Sequence, residues 1–105
     1  MAWTYLVIAG AFEIAWAIGL KYTEGFTRLW PSVGTVAAMI ASFAFLSEAL
    51  KTIPVGTGYA VWTGIGAAGT AALGMVLFGE SRDLLRIVCI TMIAVGLVGL
   101  KLSSP

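Results

Sequence analysis

Four continuous apolar stretches constrain this sequence more than any other feature, because a helix of about 20 apolar residues crosses the ~30 Å hydrocarbon core of a bilayer. The stretches cover about residues 2–20, 29–47, 54–78 and 84–101, and fewer than ten residues separate each from the next. None of them alternates apolar and polar residues, which excludes a transmembrane β-barrel. The sequence therefore predicts an all-α membrane protein with four transmembrane helices, in which residues 1–105 form a single domain.

The composition excludes several classes of function. Hydrophobic residues make up 60% of the chain, against roughly 45–50% in soluble domains. The six basic residues form no run that could hold a phosphate backbone, so we expect no nucleic-acid partner. The chain has no histidine and one cysteine, and no nucleophile lies near a base. We therefore expect no metal site, no cofactor and no enzymatic activity.

The basic residues are divided unevenly between the two sides of the predicted membrane. The loops after the first and third stretches carry four of them, Lys21, Arg28, Arg82 and Arg86. The other side carries two, Lys51 and Lys101, besides the amino terminus. This is a weak bias under the positive-inside rule, so insertion in both orientations stays open. The first stretch lacks a basic leader segment, and we interpret it as a retained span rather than a signal peptide.

Glu13 lies near the middle of the first span. An ionised carboxylate at the centre of a membrane helix costs at least ~2.5 kcal/mol, so an intramembrane acid marks a functional site by default. Desolvation favours the neutral acid, whereas a cation beside the carboxylate favours its charged form. Proton and cation therefore compete for one side chain, which is the simplest physical basis for exchange. The alternative is a protonated Glu13 that only donates an interhelical hydrogen bond.

Trp16 and Ser42 are candidates to orient this carboxylate. Trp16 follows Glu13 by three residues, on the same helix face, and its indole N–H could donate to Glu13. It could equally belong to the aromatic belt at the membrane interface. Ser42 is the deepest hydroxyl of the second span. Such a hydroxyl commonly bonds back to the carbonyl four residues earlier, and the functional alternative is a hydrogen bond to Glu13.

The third span is rich in glycine and carries two aromatic residues one turn apart. Gly64 and Gly66 lie in its middle and predict either a hinge or a close helix contact. Tyr59 and Trp62 share a face with Gly66. They could wall a cation site, because tryptophan has the best cation–π surface of any side chain. Spacing alone favours ordinary packing or the interface belt for both rings.

The fourth span has a face of small residues. Cys89 and Gly96 lie seven residues apart, so they occupy the same side of a helix. Small residues let helix backbones approach closely in membranes. We therefore predict a helix–helix contact at Cys89 and Gly96.

Two segments carry a resemblance to a known family. They are residues 10–16, Gly-Ala-Phe-Glu-Ile-Ala-Trp, and residues 54–67, Pro-Val-Gly-Thr-Gly-Tyr-Ala-Val-Trp-Thr-Gly-Ile-Gly-Ala. Together with four spans in 105 residues, they closely resemble the small multidrug resistance transporters over the whole chain. Trp16, Ser42, Lys101 and the segment after Trp62 resemble the guanidinium exporter subtype.

The resemblance implies an eight-helix antiparallel homodimer of dual topology in the cytoplasmic (inner) membrane. Both copies of Glu13 would lie in one central pocket, and the fourth spans, with Cys89 and Gly96, would hold the dimer together. It also implies the partners: guanidinium or a related cation, protons, the lipid bilayer and a second copy of the chain.

The resemblance implies proton-coupled antiport that exports guanidinium. In this hypothesis Trp16 and Ser42 orient Glu13, while Tyr59 and Trp62 wall the pocket. One alternative is a broad exporter of quaternary ammonium and other lipophilic cations, which the same carboxylate could serve through charge and cation–π contacts. Another is a non-transporting or heterodimeric membrane subunit in which the glutamate is structural.

Overall fold

The chain folds into four long helices. A computed structural model describes residues 1–103, and its helices are α1 (Ala2–Tyr22), α2 (Leu29–Ala49), α3 (Val55–Leu77) and α4 (Leu84–Ser103). All four are long and apolar enough to cross a membrane, which confirms the predicted all-α class and its four helices. Helices α1, α2 and α4 each continue two residues beyond the predicted end of the span. That these helices form one transmembrane domain stays a prediction.

The helices are separated by short turns with identifiable stop signals. Pro54 precedes α3 as its cap, a position where a missing backbone N–H is harmless. After α1, the buried Thr23 hydroxyl donates to the carbonyl of Leu20 at 2.7 Å and accepts from the Phe26 N–H at 3.2 Å. After α3, Gly79 adopts a φ of 63°, a left-handed conformation that turns the chain back over the helix end.

Glycines set how closely the helices approach one another. Helix α1 packs against α2 and α3, whereas the backbone of α4 approaches that of α3 alone within the described chain. A Cβ at Gly10 of α1 would overlap Ile65 of α3, and one at Gly64 of α3 would overlap Leu97 of α4. Each contact therefore depends on a missing side chain, as is common between membrane helices.

The buried core occupies one end of the bundle. It joins the first part of α1, the end of α2 with the following turn, and the first part of α3. Its members are Leu6, Ala9, Leu46, Ala49, Ile53, Val61 and Trp62. The other end of the bundle contributes few buried residues, and the space between α1 and α3 there stays open.

Helix α4 lies on the outside of this core. None of its residues from Leu84 to Ser103 is buried. Leu97 and Leu100 of α4 pack against this core, and Nζ of Lys101 lies 5.4 Å from the ring centroid of Trp3 on α1. A single chain therefore leaves much of the surface of α4 for lipid or for another protein.

Candidate functional site

A cavity of about 470 Å³ lies between α1 and α3 in the open half of the bundle. It extends from the middle of both helices to the turn that follows α3. Its walls come from α1, α3 and this turn, with no contribution from α2 or α4. The lining residues are Glu13, Ala17, Ile18, Lys21, Thr63, Gly66, Ala67, Thr70, Ala71, Gly74, Phe78 and Glu80.

The carboxylate of Glu13 lies at the deep end of this cavity. The side chain is partly buried, and its Oε1 has no solvent contact and no hydrogen-bond partner among residues 1–103. It lies against the backbone of Gly66, where a Cβ would overlap the carboxyl group. A buried acceptor without a partner is costly, so this oxygen is placed to receive a proton or a donor from a ligand.

Two threonine hydroxyls line the same cavity, and the sequence interpretation missed both. Thr63 and Thr70 are seven residues apart, with Gly66 between them on one side of α3. Thr70 Oγ1 is buried and has no hydrogen-bond partner in the described chain. The spacing of Thr63, Gly66, Thr70 and Gly74 at three and four residues marks a single helix face and could have revealed them.

Charged side chains surround the mouth of the cavity. Lys21 of α1 lies with its Nζ 5.0 Å from the ring centroid of Phe78. Glu80, in the turn after α3, accepts a hydrogen bond from Nη2 of Arg86 at 2.7 Å. A cation that approaches Glu13 from this side therefore passes two cationic side chains and one carboxylate.

Ser42 makes no hydrogen bond to Glu13 within the described chain. Its hydroxyl is fully buried, donates to the carbonyl of Ala9 at 2.7 Å and accepts from the indole N–H of Trp62 at 3.0 Å. The expected hydrogen bond to Glu13 is therefore wrong for this structure, and so is the bond back along its own helix. The hydroxyl instead links α2 to the backbone of α1 and to a side chain of α3, because the three helices meet at this level.

Trp16 makes no hydrogen bond to Glu13 either. Its Nε1 is buried without a hydrogen-bond partner in the part of the chain that the structure describes. Its ring lies 6.5 Å from that of Phe43 on α2, and Trp16 is absent from the cavity wall. The indole is thus available to a further partner, and its role in orienting Glu13 stays a prediction.

Tyr59 and Trp62 lie outside the cavity of the single chain. Trp62 belongs to the buried core, where its ring centroid is 5.6 Å from those of Phe43 and Tyr59. Tyr59 is 57% exposed, on the outer surface of α3. Within one chain Trp62 therefore packs in the core, as the packing alternative for this ring predicts. A contact of either ring with a substrate stays a prediction that concerns a larger assembly.

Gly64 and Gly66 allow close contacts with neighbouring helices, and α3 is unbroken at both residues. Helix α3 continues from Val55 to Leu77, with Gly64 against Leu97 of α4 and Gly66 against Glu13 of α1. Both glycines therefore lie where two helices approach closely, which is one of the two roles that the sequence allows. Their role as a hinge stays a prediction.

Cys89 and Gly96 are both exposed on α4. Gly96 lines a shallow apolar groove on this helix, together with Ile87, Val88, Thr91, Met92 and Val95. No atom of the described chain would contact a Cβ at Gly96. The predicted dimer contact thus has a free surface on which to form, and the contact itself stays a prediction.

Comparison with known proteins identifies close relatives along the full length of the chain. A family model described as "Small Multidrug Resistance protein" matches residues 1–93. A protein of Proteus vulgaris named "Guanidinium exporter" is 56% identical over 104 residues, covering 99% of this chain and all of the relative. Proteins with the same name from Escherichia coli K12 and Salmonella typhimurium are 59% identical over 104 residues, which cover 99% of this chain and 99% of each relative.

Proposed function

Because this chain belongs to the small multidrug resistance protein family, we propose that it exports guanidinium in exchange for protons. The family and the four spans make it a multi-pass protein of the bacterial inner membrane, and indicate a transporter rather than an enzyme. The observation that carries the proposal is the carboxylate of Glu13, which lies at the deep end of a cavity and has one buried oxygen without a hydrogen-bond partner among residues 1–103. The choice of guanidinium as the substrate is supported by the relatives that are named guanidinium exporters.

The chemistry of the cavity suits guanidinium. This planar cation presents a fork of N–H donors that matches the two oxygens of a carboxylate. Glu13 supplies those oxygens, and the hydroxyl of Thr70 supplies a further buried acceptor on the facing helix. The wall around these two groups is otherwise mostly apolar or small, so at the deep end the cation would make its polar contacts with Glu13 and Thr70.

Exchange follows from competition for Glu13. In the apolar surroundings the neutral acid is favoured until a cation compensates the charge of the carboxylate. Binding of guanidinium therefore releases a proton, and binding of a proton releases guanidinium. The apparent affinity for guanidinium would fall as the pH is lowered.

The transporting unit of the proposal is an antiparallel homodimer of eight helices. In one chain the cavity is walled by α1, α3 and the turn after α3, with nothing from α2 or α4, so a second copy would be needed to enclose a substrate. Helix α4 has no buried residue between Leu84 and Ser103, and its small residues Cys89 and Gly96 offer a surface for a second copy. The weak bias in basic residues is compatible with insertion in both orientations.

In this dimer the two Glu13 carboxylates would share one site and titrate as a coupled pair. Tyr59, exposed on α3, would reach the site from the partner chain and wall it beside Trp62. Trp16 would use its unpartnered indole N–H to orient Glu13. Ser42 would act through the helices that it links rather than on Glu13 itself.

The test is guanidinium-evoked current from the purified protein in proteoliposomes on a solid-supported membrane. We expect a robust current in the wild type, a higher KM at lower pH, and no proton-coupled current in Glu13→Gln, which keeps the shape and removes the charge. Glu48→Gln is the matched control, because Glu48 lies on the surface in an exposed ion pair with Lys51. It should transport as the wild type does.

Two other outcomes would replace the proposal. Current with tetraethylammonium but none with guanidinium would indicate an exporter of quaternary ammonium cations. Silence with both cations would indicate a structural subunit or a heterodimeric partner. A proton-coupled guanidinium current that survives Glu13→Gln would disprove the mechanism.

A further inference from the structure

A guanidinium group already lies on a carboxylate at the mouth of the cavity. Nη2 of Arg86 donates to Oε1 of Glu80 at 2.7 Å, a charge-assisted hydrogen bond. Glu80 is also part of the wall of the cavity that contains Glu13. The cavity therefore joins two carboxylates: Glu13 at its deep end, with one oxygen unpartnered in the described part of the chain, and Glu80 at its mouth, bound to an arginine side chain.

The backbone holds Glu80 in this position. The left-handed φ of 63° at Gly79 turns the chain back over the end of α3, so that the N–H of Glu80 donates to the carbonyl of Gly74 at 3.3 Å. The carboxylate then lies across Gly74, where a Cβ would come within 2.7 Å of Oε1. Glycine at this site lets the carboxylate lie over the end of the cavity.

Arg86 binds Glu80 through one nitrogen, and the pair is partly exposed. The side chain of Arg86 is 34% exposed, against 46% for that of Glu80, and only one of its nitrogens donates to the carboxylate. Its Nε is buried without a hydrogen-bond partner in the described chain. A partly exposed ion pair contributes little to stability, so a free guanidinium ion can displace the arginine side chain.

The second cation at the mouth is directed elsewhere. Nζ of Lys21 lies 5.0 Å from the ring centroid of Phe78, a cation–π contact, and forms no ion pair with Glu80. Arg86 is therefore the cation that occupies Glu80 in the described chain.

We propose that Glu80 is a second binding site for guanidinium-type cations, at which the substrate takes the place of the Arg86 side chain before it reaches Glu13. The inference rests on the proposed guanidinium export. The exchange is between cations of the same chemistry, because the free guanidinium ion offers the same planar N–H donors as the arginine. Arg86 acts as a tethered competitor that keeps the site from binding substrate tightly.

This arrangement predicts opposite effects from the two members of one ion pair. Glu80→Gln removes the site and should raise the KM for guanidinium by up to about five-fold, the upper limit expected for a partly exposed charge pair. Arg86→Gln removes the competitor and should lower the KM by a similar factor. A salt bridge that only stabilises the turn would give effects of the same sign in both variants.

The experiment measures KM from guanidinium-evoked currents in proteoliposomes for both variants. Glu80→Asp keeps the charge and should restore much of the affinity lost in Glu80→Gln. Arg82→Gln is the matched control for Arg86→Gln, since Arg82 lies in the turn before α4, donates to the carbonyl of Met75 and forms no ion pair with Glu80 within the described chain. It makes the same change in charge and should leave the KM unchanged.

A second measurement separates the inference from the proposed function. Guanidinium chloride is titrated into Glu13→Gln protein and into the double variant Glu13→Gln/Glu80→Gln, and binding is followed by the backbone amide shifts of residues 79–82. We expect weak saturable binding in the first protein and none in the second. The difference between the two proteins is expected whether or not the wild type carries a guanidinium current.

Three results would overturn the inference. The first is an equal KM in wild type and Glu80→Gln alongside a normal current. The second is a decrease in KM in Arg82→Gln as large as that in Arg86→Gln. It would mean that the loss of any positive charge near the cavity mouth, rather than of Arg86 itself, strengthens guanidinium binding. The third is the same titration curve in the single and double variants. Loss of the wild-type current would instead disprove guanidinium export and leave the titration to decide on Glu80.

Discussion

Ser42 provides the sharpest test of how the helices are held together. Its hydroxyl is fully buried and takes part in two hydrogen bonds, to the carbonyl of Ala9 and from the indole of Trp62. Ser42→Ala removes both bonds and leaves the Trp62 N–H buried without an acceptor. Helices α1, α2 and α3 would lose their one shared polar contact at this level.

The expected cost follows from these two bonds. Interhelical hydrogen bonds in membrane proteins average about 0.6 kcal/mol and reach about 1.7, and a stranded buried donor costs about 1–3 kcal/mol. We therefore expect Ser42→Ala to lower the free energy of unfolding by about 1–2 kcal/mol. In the double-mutant cycle with Trp62→Phe, which removes the donor, the two changes should couple by about 1 kcal/mol.

Unfolding in mixed detergent micelles, followed by circular dichroism, measures both quantities. Ser32→Ala is the matched control on the same helix, because the exposed Ser32 hydroxyl donates only to the carbonyl of Arg28 in its own chain segment. It should be close to neutral. The guanidinium KM of Ser42→Ala should stay at the wild-type value, since the Ser42 hydroxyl bonds to Ala9 and Trp62 and not to Glu13. Wild-type stability with a raised KM would refute this reasoning and favour a direct contact with the carboxylate.

Two further predictions concern glycines. Gly66→Ala should abolish guanidinium current, because a Cβ there would overlap Glu13, whereas Gly56→Ala, with open space around it, should transport normally; a functional Gly66→Ala would contradict the close contact. Gly96→Leu should shift the purified protein from dimer to monomer in single-molecule photobleaching, because the leucine would fill the surface that we assign to the second copy. Gly34→Leu, at an equally open helix glycine, is its control, and unchanged dimers in both would contradict the assignment.

The helices could be predicted from the sequence because a span must be long and apolar, and each of the four stretches meets that requirement alone. Their ends differ from prediction by one or two residues. Tyr22 and Ala49 stay helical after charged residues, since a charged side chain at a helix end reaches water without disturbing the backbone. Glu13 could also be predicted, because an acid in an apolar helix is conspicuous in any sequence.

The partners of the polar side chains could not be predicted in the same way. Ser42 donates to the backbone of Ala9 on another helix, and no side-chain pattern marks a carbonyl as an acceptor. Glu80 lies beyond the third span and reaches the cavity only because Gly79 reverses the chain. A glycine followed by an acid at a helix end was a readable signal of that turn. Thr70 shares its helix face with Gly66 and Gly74, and that spacing was its readable signal.

The uneven burial along the chain bears on the order in which it assembles during synthesis. Residues of α1, α2, the turn after α2 and α3 build the buried core, whereas α4 adds no buried residue between Leu84 and Ser103. Domains emerge from the ribosome from the amino terminus onward, so the core and the wall around Glu13 can form while α4 is still being translated. A copy that ends before Leu84 would then keep its interior yet lack the helix through which we propose two copies meet. Premature termination before α4 would therefore leave a chain that folds but does not transport.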